Sequence, residues 1–277
     1  MKGSPISVGF VGFGRMASAL FSGFMRTGLV DPKTTYFYTP HVESQRRVSL
    51  SHGIVAVSPE TLLAKSDLVF FCVKPQQIHE VLMHFPPLDP ERLPILVSIL
   101  AGVQLSVFEH YLGGDVPLVR VMPNTPSLVG EGVSAVYYRD RVMPPYRARV
   151  SALLHGCGVV VEVPEAQFDL VTGLSGSGPA FLYRIAQDMV AYSSHAGLDP
   201  QLGLKMMAQI LIGAGRMLQE TGKMPEELIA EVCSPQGTTL AGLQVYDQAR
   251  VGQQLQSVVA AAVARAGELS RDAGGNR

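Results

Sequence analysis

Gly12-Phe13-Gly14-Arg15-Met16-Ala17 follows at once on the apolar run at 6–11 and opens a helix-compatible stretch that reaches Thr27. A strand that turns directly into a helix needs a residue free to take a left-handed backbone, and Gly12 supplies it. Gly14 lets an anion approach the main chain, and small Ala17 permits close helix packing where this fingerprint often carries glycine. The N–H groups of Gly14, Arg15 and Met16, reinforced by the positive end of the helix, then serve as phosphate donors without a metal. A bare GxG fits many turns, but between a strand and a helix it points to dinucleotide binding.

The chain around this motif keeps the matching rhythm. Up to Val163, short β-rich runs (ISVGFV, TTYFYT, GIVAV, LVFFCV, PILVSI, PLVRVM, GVSAVYY and GVVVEV) alternate with helical stretches, which predicts a layered α/β domain with a largely parallel sheet. From 168 to 269 the apolar residues recur at helical spacing, so the second part reads as all-helical. Asp199-Pro200 and Met224-Pro225-Glu226-Glu227 mark two helix starts within it. The expected division is 1–163 for a Rossmann-like dinucleotide-binding domain and 164–277 for a helical domain, with the boundary at Pro164. The tail from Asp272 lacks apolar periodicity and is expected to fray.

Composition narrows the function classes. Of 277 residues 47% are hydrophobic and 16% charged, which is enough to build two cores and too apolar for disorder. Lys plus Arg number 22 against 23 Asp plus Glu, so no excess of positive charge exists to grip a nucleic-acid backbone. Cys72, Cys157 and Cys233 are too scattered for a disulfide framework or a zinc cluster, and suit reduced thiols in a cytoplasmic setting. The N-terminal apolar run and the Ala/Val-rich stretch at 258–266 are too short to span a membrane, and the latter reads as a buried helix.

Candidate site residues cluster at the expected strand ends. After the second strand, Tyr38-Thr39-Pro40-His41-Val42-Glu43-Ser44-Gln45-Arg46-Arg47 has no acidic residue immediately at the strand end to hold both ribose hydroxyls, which favours NADPH over NADH. Thr39, Ser44 or Arg46 are candidates for a ribose phosphate, with a solvated Arg46-Arg47 face as the alternative. Val73-Lys74-Pro75 ends the next buried run, where Lys74 faces cofactor or solvent and Pro75 stiffens the loop. Ala101 and Asn124 lie in two further loops of this kind, and the Asn124 amide suits a nicotinamide, a substrate or a plain turn. In Thr172-Gly173-Leu174-Ser175-Gly176-Ser177-Gly178-Pro179, glycines and a proline weaken a helix unless a ligand or close packing compensates, and helical spacing puts Thr172 and Ser175 on one groove. Cys233-Ser234-Pro235-Gln236-Gly237-Thr238-Thr239 reads as an interhelical anion loop in which the N–H groups of Thr238 and Thr239 receive a small carboxylate, or as a simple cap.

Taken in order, GFVGFGRMA, FCVKPQ, VMPNTP, TGLSGSGPAF and CSPQGTTLAGL resemble the pyrroline-5-carboxylate reductase family over residues 6 to 270. The resemblance implies a Rossmann-like domain followed by a helical dimerisation domain, and reduction of 1-pyrroline-5-carboxylate to L-proline by NADPH or NADH. It implies a homodimer, with a decamer of five dimers in some relatives. It places Gly12, Gly14, Arg15 and Met16 in the phosphate turn, Thr39 in the selectivity loop, and Val73, Lys74, Pro75, Ala101 and Asn124 along the cofactor. Glu165, Thr172, Glu231, Gly237, Thr238 and Thr239 fall in or beside the substrate pocket, with Thr172 and Glu165 nearest the reacting nitrogen and no metal required. Two positions depart from the family pattern: Gln236 stands where glycine is usual, and Glu231 where animal relatives often have asparagine.

Overall fold

The computed structural model describes residues 6–86, 88, 93–113 and 116–274. Among the described residues, eight strands form one sheet in the order β3-β2-β1-β4-β5-β6-β7-β8: β1 (Val8–Val11), β2 (Thr35–Tyr38), β3 (Val55–Ala56), β4 (Leu68–Phe71), β5 (Ile95–Ser98), β6 (Leu118–Met122), β7 (Gly132–Tyr138) and β8 (Gly158–Glu162). Every pair is parallel except β6–β7. The eight β-rich runs of the sequence are these eight strands. The central ones are buried at every position because helices cover both sheet faces.

Strand alternation sorts these side chains into two cores. Val8, Phe10, Leu68, Phe70, Ile95 and Val97 join Leu20 and Phe24 on one face. On the other, Val11, Val69, Phe71 and Leu96 meet Leu62, Ile78 and Phe108. The first face is covered by α1 (Arg15–Thr27) and α6 (Pro144–His155). The second carries α3 (Pro59–Lys65), α4 (Ile78–Met83) and α5 (Leu105–Leu112), while α2 (Val42–His52) links β2 to β3. The chain runs from β1 outward through β2 and β3, then returns to the other side of β1 at β4, so the carboxyl ends of β1 and β4 flank the switch point where such sheets bind ligands.

After β8 the chain is helical. A 3-10 turn at Glu165–Gln167 leads into α7 (Phe168–Val171), a π-helical stretch at Thr172–Gly176, and then α8 (Gly178–His195), α9 (Pro200–Thr221), α10 (Pro225–Val232), α11 (Thr238–Gln248) and α12 (Val251–Gly274). Asp199 Oδ1 accepts from Leu202 N–H at 2.9 Å and Glu227 Oε2 from Met224 N–H at 2.8 Å, so both helix starts read from the sequence carry their caps. By compactness residues 178–260 form one unit, and residues to 177 together with those from 261 onward form the other. The change from strands to helices therefore comes at Pro164, whereas the break in compactness comes at Gly178.

Two expectations need correction. The segment Asp272–Gly274 continues α12 instead of fraying, since His79 Nε2–H donates to Ala273 O at 2.9 Å while its Nδ1 accepts from the Tyr111 hydroxyl; residues 275–277 lie outside the described residues. The stretch at 258–266 is helical, but in the single chain only Ala266 of it is buried. The same holds across residues 178–260, where Leu182, Tyr183, Met206, Ile210, Ile212 and Val245 are exposed. Apolar residues all round α9 belong inside something larger than this one unit.

The crossing of α1 with the start of β8 depends on Gly23. A Cβ there would meet Gly156 O at 3.1 Å and Gly156 C at 3.2 Å as well as the Cys157 thiol, so the neighbouring backbone leaves no room. Alanine in a helix interior ordinarily gains about 1 kcal/mol over glycine, but overpacking costs about 1–3 kcal/mol. Gly23→Ala is expected to lower the urea midpoint at unchanged m-value; a rise would show that the helices part freely.

Candidate active site

Gly12 leaves β1 with φ +79°, and a Cβ there would lie 2.8 Å from Val73 Cγ1 and 3.2 Å from Val73 N. Its N–H donates to Tyr38 O at 2.9 Å, which pins the turn between β2 and β4. Gly14 then caps α1 in an extended conformation, with no side chain satisfying the free N–H groups and nothing within 4 Å of a Cβ built on it. Bare helix-terminal donors beneath open space fit a pyrophosphate. The cleft over this turn encloses about 360 Å³ and is lined by Gly12, Gly14, Thr39, Val73 and Lys74, all of them expected from the sequence. Pro75 starts the 3-10 turn at Pro75–Gln77 just beyond Lys74. Met16 packs against the core, and Arg15 lines a neighbouring groove with Ser18, Ser51 and His52.

The wall beyond Thr39 adds His41 and Arg47, which the sequence did not single out as ligands, to Ser44, which it did. His41, Ser44 and Arg47 recur at helical spacing from the N-cap of α2 onward and all line the cleft, together with Glu80 of α4 and His84 just past its end. Arg46, weighed as a phosphate ligand, lies in neither groove, whereas Arg47 lines both; one residue rotates a helical side chain by about 100°. Gln45 Nε2 donates to Thr39 O at 2.8 Å and holds the loop. Glu43, on the exposed side of α2, does not reach the cleft. Burial pushes the Cys72 thiol far up, so no thiolate stands on the cleft floor.

The remaining candidates of the first unit gather around β6. Glu165 Oε1 accepts from Leu105 N–H at 2.9 Å, at the start of α5, and from Arg120 Nη1 at 3.3 Å. Arg120 is buried, its guanidinium lies 4.6 Å from the Phe168 ring centroid, and burial lowers its pKa against the opposing pull of Glu165 and Asp169. A charge inside the apolar strand LVRVM was the readable signal for it, since a buried cation requires a partner. Thr172 Oγ1 donates to Phe168 O at 2.7 Å, so the hydroxyl proton is committed and the oxygen keeps its lone pairs for an external donor.

The π-helical stretch at Thr172–Gly176 has a local cause. Pro179 sits at the second position of α8, where its ring crowds the carbonyl of Ser175 four residues back and offers it no N–H. The backbone widens instead, with Ser177 N–H reaching Thr172 O, and Asn124 Nδ2 donates to the stranded Ser175 carbonyl at 3.1 Å. Asn124 Oδ1 accepts from Val133 N–H, so both ends of this buried amide are engaged. Ala101 precedes Gly102, whose backbone approaches Leu269 of α12.

In the second unit, Glu231 near the end of α10 is ion-paired with Lys223. A turn closed by Gly237 N–H donating to Ser234 O leads to α11, whose start carries no side-chain cap, so helix geometry leaves the N–H groups of Thr238 and Thr239 without acceptors. Gln236 within this turn has φ +60°, which explains why glycine is usual there.

A Rossmann-type sheet, a helix start bared for a pyrophosphate and an all-helical second part define a dinucleotide-dependent oxidoreductase. The family model for pyrroline-5-carboxylate reductase dimerisation matches residues 165–269, and the NADP oxidoreductase, coenzyme F420-dependent model matches residues 7–102. Pyrroline-5-carboxylate reductase 1 of Bacillus spizizenii is 35% identical over 96% of this chain and 90% of its own length, and pyrroline-5-carboxylate reductase 3 of Bos taurus 37% over 96% and 86%. The solved pyrroline carboxylate reductase of Plasmodium falciparum, with NADP bound, superposes with a TM-score of 0.85 at 26% identity, covering 97% of this chain and all of that one. The chain belongs to the pyrroline-5-carboxylate reductase family.

Left-handed backbone costs an L-residue about 1–2 kcal/mol. Gln236→Gly is expected to be more stable to urea than Gln236→Ala, both having lost the same side-chain contacts; equal stability would mean that the turn relaxes at no cost.

Proposed function

We infer that this chain reduces 1-pyrroline-5-carboxylate to L-proline, preferring NADPH to NADH. The observation that carries the reading is the uncapped start of α1 beneath open space, in a chain matched almost end to end by reductases of this name. When bound, the nicotinamide cofactor supplies the hydride.

The N–H groups of Arg15 and Met16 hold the pyrophosphate, with Gly14 giving access. His41, Ser44 and Arg47 offer an imidazole, a hydroxyl and a guanidinium to a ribose phosphate, and Lys74 lines the same cleft, which supports the NADPH preference. Asn124 and Ala101 act along the cofactor through the segments they shape. Thr238 and Thr239 receive the substrate carboxylate at the start of α11, with Gly237 giving it room and Glu231 bordering the loop.

Thr172 accepts the ring N–H. Because its own proton is bound to Phe168 O, it favours the protonated imine, the more electrophilic form, and that nitrogen keeps its proton in the amine product. No separate general acid is needed. Glu165, occupied by Arg120 and Leu105, organises the pocket.

The exposed apolar residues of 178–260 support a homodimer through the helical part, and sedimentation of the native protein distinguishes that dimer from a decamer of five dimers. The three free cysteines suit a cytoplasmic setting, and among the described residues no helix is long and apolar enough to cross a membrane.

Purified protein is expected to oxidise NADPH, and NADH less efficiently, with 1-pyrroline-5-carboxylate; cofactor binding without turnover would overturn the assignment. Loss of a charge-assisted hydrogen bond costs about 1.5–3 kcal/mol. On that scale Arg47→Met raises the KM for NADPH about 10- to 100-fold while leaving that for NADH unchanged. Thr172→Val should lower kcat by a similar factor, and an unaltered kcat would remove Thr172 from the site.

A further inference from the structure

Arg120 is the one guanidinium in the interior of the sheet among the described residues, and three segments of the first unit converge on it. Through Glu165 Oε1 it is joined to Leu105 N–H, the first helical residue of α5, four residues after Ala101. Its guanidinium stacks on Phe168, whose carbonyl accepts the Thr172 hydroxyl. Asp169, a second negative charge acting on it, accepts from Ser270 Oγ at 2.8 Å. Beside Ser270, the backbone of Leu269 comes within 3.0 Å of a Cβ built on Gly102. The links therefore close a ring: Leu105, Glu165, Arg120, Phe168–Asp169, Ser270, Gly102 and back to Leu105.

We propose that Arg120 is a positioning residue that fixes the Ala101–Leu105 loop and the Thr172 segment in one register, so that the cofactor side and the ring-nitrogen side of the reaction are set together. This rests on the roles given to Ala101 and Thr172 above. Arg120 is buried and does not line the cleft over Gly12. Its effect is on geometry, and a displacement of about 1 Å in such a pair can cost about 10²-fold in rate.

An ion pair that only stabilised the fold would be replaceable, since apolar side chains of similar volume are often neutral or stabilising in place of a buried pair, whereas removing one partner strands the other charge. The double variant Arg120→Met with Glu165→Leu separates the two roles. Thermal unfolding is expected to return close to that of the parent, while kcat stays about 10²-fold down and the KM for NADPH is unchanged. If kcat recovers together with the unfolding temperature, Arg120 is merely structural and the proposal fails.

Amide hydrogen exchange on Arg120→Met gives a readout independent of turnover. Amides at 101–105 and at 172–177 are expected to exchange faster together, with those at 14–18 unaffected. Loosening of one segment without the other would overturn the coupling. If the unmodified protein turned over no 1-pyrroline-5-carboxylate, the assigned function would fall, and the exchange pattern alone would decide the role of Arg120.

Discussion

Gly12 turns through φ +79° because β1 ends directly against Val73, the residue that follows β4 and Cys72, and a side chain at that point would need the space Val73 fills. The remaining geometry of the cleft descends from this contact. With the turn made in a single residue, α1 starts immediately, its first N–H groups face the crevice between β1 and β4, and Gly14 keeps the approach clear. Any residue with a Cβ at position 12 would have to move β4 or delay the helix, and either change would withdraw the donors from the crevice.

Recognition of anions in this chain is correspondingly local. With a net charge of −1 the protein has no broad positive field, and the groups available to phosphate or carboxylate are uncapped helix starts, hydroxyls and a few cations at the cleft wall. Such donors are fixed by the backbone and desolvate cheaply compared with a buried lysine. The exception is Arg120, which is buried and answers to Glu165 and Asp169, two charges of the chain itself.

What could be read in the sequence follows from how many constraints each segment obeys. The strands were legible because β1, β4 and β5 are buried on both faces and are apolar but for glycine and Ser98 at the end of β5, and the glycine turn was legible because its steric demand excludes other residues. The wall of α2 was not, since this helix is largely exposed and its few apolar positions do not fix its rotation, so Arg46 and Arg47 could not be told apart. Nor was the fate of α12, whose helical period is the same where it belongs to 178–260 and where it packs beside Gly102 and His79. Periodicity records that a face is apolar and is silent on which surface covers it.

The segment around Thr172 shows why a local irregularity in sequence can be required. A regular helix through 172–179 would drive the Pro179 ring into the Ser175 carbonyl and leave that carbonyl without a donor, at a cost of about 3 kcal/mol or more. Widening the turn removes the clash, and Asn124 supplies the missing donor from the end of β6. Each change makes sense only with the other: a π-helical turn without Asn124 would still bury an unsatisfied carbonyl, and Asn124 against an ordinary helix would find its acceptor taken by a backbone N–H. The small residues Gly173 and Gly176 belong to the same solution, since side chains there would strike Val263 of α12 and Met122 at the end of β6. Proline, asparagine and glycine at these positions therefore form one constraint, distributed over two distant stretches of the chain, and Thr172 is presented by the structure that satisfies it.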